Sequence, residues 1–380
     1  MNLCMLLDMA ADGFGSRIVI GPKATGFTAE QLRALSIGGA EKIRSAGADS
    51  VIYLDVNGPA FPVAMFAAAR AGVPLIPVNY RLSTEQLLQR LTKHPKSIGI
   101  ADARSEALFA QLSIPVLTTE QWLNAAGSLS GSEEVDDEPD APAVMIYTSG
   151  TTAEPKGVML RHHNLVSYVF GSVEFAGAGE EEASLVSVPP YHIAAVANAI
   201  TNLYAGRRYI VLEQFTGQQW LDLVRAEGVT HALVVPTMLA RILATEGDDL
   251  VVPSLRSLAY GGATMPAFVV ERALAAWPGV DFINAYGLTE TSSTISVLGP
   301  DEHREAVSSS DPEVRTRLGS AGLAVPGVEI EIRDESGGRL PPMSKGRIWV
   351  RGKQVSGEYA GIGSVLDADG FFDTSPDRLV

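Results

Sequence analysis

Residues 147–160 read "YTSGTTAEPKGVML", and five of the six residues from Tyr147 to Thr152 carry a hydroxyl. The stretch follows the apolar run "AVMIY", which places it at the end of a strand, where open α/β sheets bind ligands. A loop containing Gly150 can turn its backbone N–H groups inward as an anion nest. Thr148, Ser149, Thr151 and Thr152 add short hydroxyl donors, and Lys156 adds a mobile positive charge. Together these residue types suit a polyphosphate. The ordinary NTPase loop needs Gly-Lys-Ser/Thr opening a helix. Here Pro155 precedes Lys156 and Gly157 follows it, so the chemistry is phosphate binding by another loop.

Three further stretches end predicted strands or open helices. "NAYGLTET" (284–291) carries Ala285, Tyr286, Gly287, Thr289 and Glu290 in one run. "AYGGATMP" (259–266) ends a strand at Gly261 and Gly262, leaving room for a ligand against the backbone. "PPYHIAAVAN" (189–198) puts His192 at the start of a helix. The other histidines, at 94, 162, 163, 231 and 303, lack metal-ligand spacing, and a single cysteine rules out a zinc cluster in practice. No Ser-His-Asp order or paired-carboxylate site stands out.

The 147–160 stretch closely resembles the "TSGTTGxPKG" phosphate loop of adenylate-forming enzymes, which include acyl-CoA synthetases, peptide-synthetase adenylation domains and beetle luciferases. Ala153 stands where the family usually has glycine. "YGLTE" resembles the family's "YGxTE", "PPYH" its "PLFHxxG", "GSAGLAVPG" (319–327) its "GSVGxPxPG", and His162 with Asn164 its "HxN", expected here as helix-capping groups. The resemblance implies that Thr148, Ser149, Gly150, Thr151, Thr152 and Lys156 hold the phosphates and that Tyr286 packs on adenine. Gly261, Gly262, Ala285 and Gly287 would border the nucleotide, with Gly262 and Gly287 also reaching the acid. Thr289 would donate to the α-phosphate or the substrate carboxylate, Glu290 would bind Mg²⁺, and His192 would gate the acid channel. Thr289, Glu290 and Lys156 are then the catalytic candidates.

The implied activity is ATP-dependent activation of a fatty or aryl acid to an acyl-adenylate and then to acyl-CoA, with ATP, Mg²⁺ and coenzyme A as the small molecules used. The helix 192–205 carries no acidic residue to pair an amine, which favours a plain acid over an amino acid loaded on a carrier protein. The alternative from another class is a catalytically silent nucleotide- or acyl-binding module. The family's "DGWFxTGD" appears as "DGFFDTSPD", so Asp377 takes the ribose-binding position with one extra residue before it. The small C-terminal domain, with its adenylation lysine, is expected to be absent, leaving a chain that binds its substrates and turns over poorly. Losing one preorganised charge commonly costs about 100- to 1000-fold.

These residues need a scaffold of strand ends. Short β-branched runs such as "SVIYLDV" (50–56) alternate with helical patterns such as 59–72, which implies βαβ crossovers and a mostly parallel sheet. The expected fold is α/β: two adjacent doubly wound, mostly parallel sheets with helices, and a small antiparallel β subdomain at the C-terminal end. Residues 1–126 form the first subdomain and 143–317 the second. Between them, 127–142 reads as a solvated acidic linker, with six of the eight residues from Glu133 to Asp140 acidic. Residues 318–380 switch to period-two alternation around the turn "DESGG".

The chain's 380 residues and 46% hydrophobic content allow several cores. The net charge of −15 argues against nucleic acid or an anionic membrane as main partner. The lone Cys4 permits no intrachain disulfide and suits a cytoplasmic location. "MNLCMLLDMAADG" lacks a basic start and is broken by Asp8, so it reads as an amphipathic helix rather than a signal sequence or an integral membrane segment.

Overall fold

A computed structural model describes residues 1–136, 141–148, 155–245 and 250–374. Helix starts follow local capping chemistry. Thr28, Ser83 and Thr118 each accept from the backbone three residues on, while Gln31, Gln86 and Gln121 return the bond. These boxes open Ala29–Ser45, Thr84–Leu91 and Thr119–Ser128.

Among the described residues, strands form two large sheets and one small one. The nine-stranded sheet has the parallel series Ile18–Ile20, Arg208–Val211, Ala183–Val186, His231–Val234, Ser257–Gly261 and Asp281–Leu288. Antiparallel strands close both sides: Phe27–Thr28 at one, Ser293–Leu298 and Leu323–Ala324 at the other. The eight-stranded sheet runs Val116–Leu117, Ser97–Ala101, Ser50–Leu54, Leu75–Pro77 and Pro142–Thr148 in parallel. It continues antiparallel through Lys156–Arg161, Glu358–Tyr359 and Gly363–Ser364. Val328–Arg333, Arg347–Gly352 and Phe372–Asp373 make the small antiparallel sheet. The α/β architecture with an antiparallel C-terminal sheet is thus the one the alternation implies.

Sheet membership does not follow chain order. Ile20 pairs with Tyr209, and Tyr359 pairs with Val158, so each large sheet borrows strands from the other end of the chain. The largest core holds residues of both sheets (Tyr53, Val144, Val186, Tyr209) with the helices Cys4–Phe14, Ala60–Arg70, His162–Ser172 and Ile193–Ala205. Ala60–Arg70 is buried along its whole length, which its run of small and apolar residues permits.

The acidic segment is not simply solvated. Arg70, 1% exposed, donates to the Asp8 carboxylate (2.7 Å) and to the Glu133 carbonyl (2.7 Å), and Arg44 donates to Asp136 (3.0 Å). A buried guanidinium needs such partners, and the segment supplies part of them. His162 also differs from its expected capping role. Asn164 caps the helix, its Oδ1 accepting from Arg161 N (3.1 Å), whereas buried His162 accepts from Leu3 N (3.1 Å) and anchors the N-terminal helix. No helix among the described residues is long and apolar enough to cross a membrane.

Candidate active site

The C-terminal ends of parallel strands from both large sheets converge on one cavity of about 950 Å³. From the nine-stranded sheet come Ser187 and Val188, Leu212 and Glu213, Val234 and Val235, Gly261 and Gly262. Val56 and Asn57, Tyr80 and Arg81, and Arg104 come from the ends of strands in the eight-stranded sheet. Side chains pointing away from a sheet's carboxyl edge are free to face a ligand, which is why such edges carry sites. Asn57 ties the two sheets together, donating to the Val188 carbonyl (3.2 Å) and to the Tyr209 hydroxyl (3.1 Å).

Backbone makes part of the wall. A methyl on Gly261 would lie 2.2 Å from the Ala285 carbonyl oxygen, and one on Gly287 1.7 Å from that of Ser293, so neither position accepts a side chain without movement. Gly262 (φ +77°) is different: a methyl there would meet only Val235, at 3.8 Å, and would otherwise fill open cavity. A flat group can therefore lie against the chain at Gly262. Between Tyr286 and Gly287 the register of Asp281–Leu288 against Ser293–Leu298 shifts, and Ser292 and Ser293 take φ of 56° and 108°. Such left-handed conformations at non-glycine residues cluster at ligand sites and persist only where surroundings fix them.

The mouth is aromatic and cationic. Tyr80 and Tyr191 meet edge-on at 5.5 Å, Tyr191 lies 4.8 Å from His192, and the Arg81 guanidinium sits 5.6 Å from the Tyr80 ring. Partial burial and then the Arg81 charge hold the His192 imidazole below its ordinary 6.5. Burial first, then the charges of Asp102 and of Glu213 on the wall after Arg208–Val211, raises the Asp55 carboxyl.

Of the sequence candidates, His192, Gly261, Gly262, Ala285 and Gly287 line this cavity. Tyr286 does not. Alternation along Asp281–Leu288 turns it and Leu288 to the other face, where they pack on the cluster of Ile295, Val328, Val350 and Phe372. Thr289 and Glu290 form a short 3₁₀ turn beyond that strand. Thr148 and Lys156 face each other across the antiparallel pair that begins the return strand. Ser149, Gly150, Thr151, Thr152, Ala153 and Asp377 lie outside the described residues.

A set of residues missed by sequence reasoning fixes the Glu290 turn. Tyr359, 2% exposed, donates its hydroxyl to Glu290 Oε1 (2.7 Å), and Ser356 N donates to the Glu290 carbonyl (2.8 Å). Gln354 donates to the carbonyls of Thr291 (3.0 Å) and Thr294 (2.8 Å), and Ser292 donates to the Gln354 carbonyl (2.7 Å). Burial first, then Glu290, pushes the Tyr359 phenol far up, so it remains a donor. The same segment grips the return strand: Ser356 donates to the Met159 carbonyl, and Arg161 forks onto Glu358 at 2.8 Å. Glu290 is thereby held beside the strand that Lys156 begins. Nothing in the spacing of "KQVSGEY" announces these contacts, because their partners lie some distance away in sequence.

This arrangement, a cavity between two sheets' carboxyl edges with a glycine-lined wall, is that of an α/β ligand-binding protein. The pattern of the AMP-binding enzyme family matches residues 11–360, and the chain belongs to that family. It is 32% identical over 335 residues to a feruloyl-CoA synthase of Amycolatopsis sp, covering 85% of this chain and 64% of that one. It is 28% identical over 309 residues to a 2-succinylbenzoate–CoA ligase of Bacillus cereus (strain AH820), covering 81% and 60%. The chain thus spans a little under two thirds of these relatives' length. In fold it resembles the inhibitor-bound N-terminal domain of FACL13 from Mycobacterium tuberculosis (TM-score 0.85, 22% identity, 98% and 95% of the two chains). It also resembles the o-succinylbenzoate CoA synthetase of Bacillus subtilis in complex with ATP and magnesium ion (TM-score 0.81, 24% identity, 97% and 75%).

Proposed function

We propose that this chain binds ATP, Mg²⁺ and a carboxylic acid for acyl-adenylate formation, as the substrate-binding part of an acyl-CoA ligase. The observation that carries the reading is the joining of the acid-sized cavity to the Glu290 turn by one strand, Asp281–Leu288. In the reaction, a carboxylate oxygen bonds to the α-phosphorus of ATP while the bond from that phosphorus to pyrophosphate breaks. The thiol of coenzyme A then takes the acyl group from AMP.

The residues fit these ligands. The described residues hold no cluster of three His, Cys, Asp or Glu, and Mg²⁺ usually needs one or two carboxylates completed by phosphates and water. Glu290 would hold the ion, with one oxygen fixed by Tyr359. The ion would screen charge between the phosphates. Lys156 and Thr148, with Ser149, Gly150, Thr151 and Thr152, would hold the phosphates. Adenine would lie at the rim between Tyr286 and the backbone at Gly261, Gly262 and Ala285. Thr289 would donate to the α-phosphate or carboxylate, and His192 with Gly262 and Gly287 would bound the acid. Asp377 would take the ribose. Because adenylation gathers negative charge, these groups act by placement more than by proton transfer.

Acid-dependent exchange of labelled pyrophosphate into ATP tests the reading. Exchange that requires acid, Mg²⁺ and ATP supports it. Absence of exchange at concentrations where ATP binding is measured would leave a silent binding module.

A further inference from the structure

Six buried side-chain polar atoms among the described residues have no hydrogen-bond partner: the indole nitrogens of Trp122, Trp220 and Trp349, and the hydroxyls of Ser187, Ser254 and Ser296. Of these residues, Ser187 lines the cavity; the other five do not. It is 6% exposed and directly follows the strand Ala183–Val186. Leaving a buried hydroxyl unpaired costs about 1–3 kcal/mol. An orphan at a cavity wall marks a place where a ligand atom completes the bond.

The facing helix adds to it. Ala194, Asn198 and Thr201 recur at i, i+4 and i+7 and all line the cavity. Asn198 spends one amide hydrogen on the Ala194 carbonyl (2.8 Å), and Thr201 spends its hydroxyl hydrogen on the Ala197 carbonyl (2.8 Å). What they have left for a ligand is acceptor capacity at Asn198 Oδ1 and Thr201 Oγ1, and the second Asn198 N–H. Asn57 is different, since its amide already serves Val188 and Tyr209. Two acceptors, one amide donor and one hydroxyl that can do either favour a ligand group that both donates and accepts, as a hydroxyl does.

We propose that Ser187, Asn198 and Thr201 form a hydroxyl-recognising subsite, and that the preferred substrate is a hydroxylated carboxylic acid. This rests on the reading of the cavity as an acid site. Asn198 lies six residues beyond His192, about 9 Å along the helix axis, which sets the span from carboxylate to hydroxyl. A plain alkyl or aryl end of the same size would leave Ser187 unpaired and cover two acceptors without a bond. The walls between, including Val56, Val188, Ile193 and Val235, are apolar and suit the carbon skeleton.

The test uses the full chain with a non-hydrolysable ATP analogue and Mg²⁺, and calorimetry on acids of matched shape in which a hydroxyl replaces a methyl. The pairs are 7-hydroxyheptanoate with octanoate, and 4-hydroxycinnamate with 4-methylcinnamate. The hydroxylated member of at least one pair is expected to bind about 10-fold more tightly, within the roughly 5- to 150-fold that an unpaired buried group implies. Ser187→Ala is expected to erase that preference, moving the hydroxy acid's affinity far more than its partner's. Ser187→Cys puts a weaker and somewhat larger donor at the same place, and should cut the preference to a few-fold even where the alanine variant folds poorly. Equal or tighter binding of both methyl acids, or a preference that survives the substitutions, overturns the subsite alone. Binding of no acid, with no pyrophosphate exchange, overturns the acid-site reading and the subsite with it.

Discussion

The turn around Glu290 and the corner around Ser187 treat their polar groups in opposite ways. At the turn, Thr291 receives from Leu288 N (3.0 Å) and donates toward Ser293 (2.8 Å), while Gln354, Ser356 and Tyr359 bond Thr291, Thr294 and Glu290. The protein completes its own bonds there and fixes one carboxylate. At Ser187 a hydroxyl is buried and left unanswered. Saturation makes a placement device; a withheld partner makes a recognition device. One family fold carries both within a single cavity and its rim.

Substitutions that exchange these behaviours put the contrast at risk, and the largest effect is expected at the carboxylate. Glu290→Gln keeps shape and removes charge, and acid-dependent pyrophosphate exchange should fall by about 100- to 1000-fold. Wild-type exchange in that variant would remove Glu290 from the chemistry. Gly287→Ala forces a methyl to 1.7 Å from the Ser293 carbonyl, and the urea midpoint should drop by an amount worth about 3 kcal/mol. An unchanged midpoint would show that the turn yields and is not a rigid placement device.

Tyr359→Phe should raise the Mg²⁺ concentration needed for ATP binding by about 10-fold, as loss of a group supporting a metal ligand does. A loss equal at every Mg²⁺ concentration would instead mean that the ring's packing matters and its hydroxyl does not. The smallest effect belongs to His192. Its pKa in the protein is below the ordinary 6.5, so the ring is neutral at pH 7, and its neutral burial favours folding most above 6.5. That contribution is lost as pH falls through the depressed value. A bound carboxylate pulls the pKa back up, so binding takes up protons below pH 6.5. Acid affinity should rise a few-fold from pH 7 toward pH 5.5 by calorimetry, and His192→Gln should flatten the slope.

Much of the scaffold was legible because strands buried on both faces announce themselves as apolar runs. "ASLV" at 183–186, "HALV" at 231–234 and the helix Gly217–Glu227 fall where the pattern puts them. Gly261 and Gly262 were legible as a strand end, and the structure sets both on the cavity wall. At Tyr286 the motif and strand alternation pull apart, since alternation sets its ring on the face opposite Ala285 and Gly287, outside the cavity lining. Ile18–Ile20 and Phe27–Thr28 were missed because two or three residues carry no period to read. Tyr359 and Gln354 were beyond local reading, because their partners lie between 60 and 69 positions away. Ser187 hides in "VSVPP", where only burial without a partner sets it apart.

The pairing of Ile20 with Tyr209 has a kinetic consequence. A chain made from its N-terminus at about 5–20 residues per second leaves the inner side of Ile18–Ile20, the one not paired with Phe27–Thr28, open for roughly 10–40 seconds before Arg208–Val211 exists. The eight-stranded sheet waits likewise, because Tyr359 must be made before it can reach Val158. Contacts of such long sequence separation slow folding and leave unpaired edges open to other chains. In the cell, then, this protein's yield would be governed less by how stable the finished sheets are than by what shelters their first strands until their distant partners arrive.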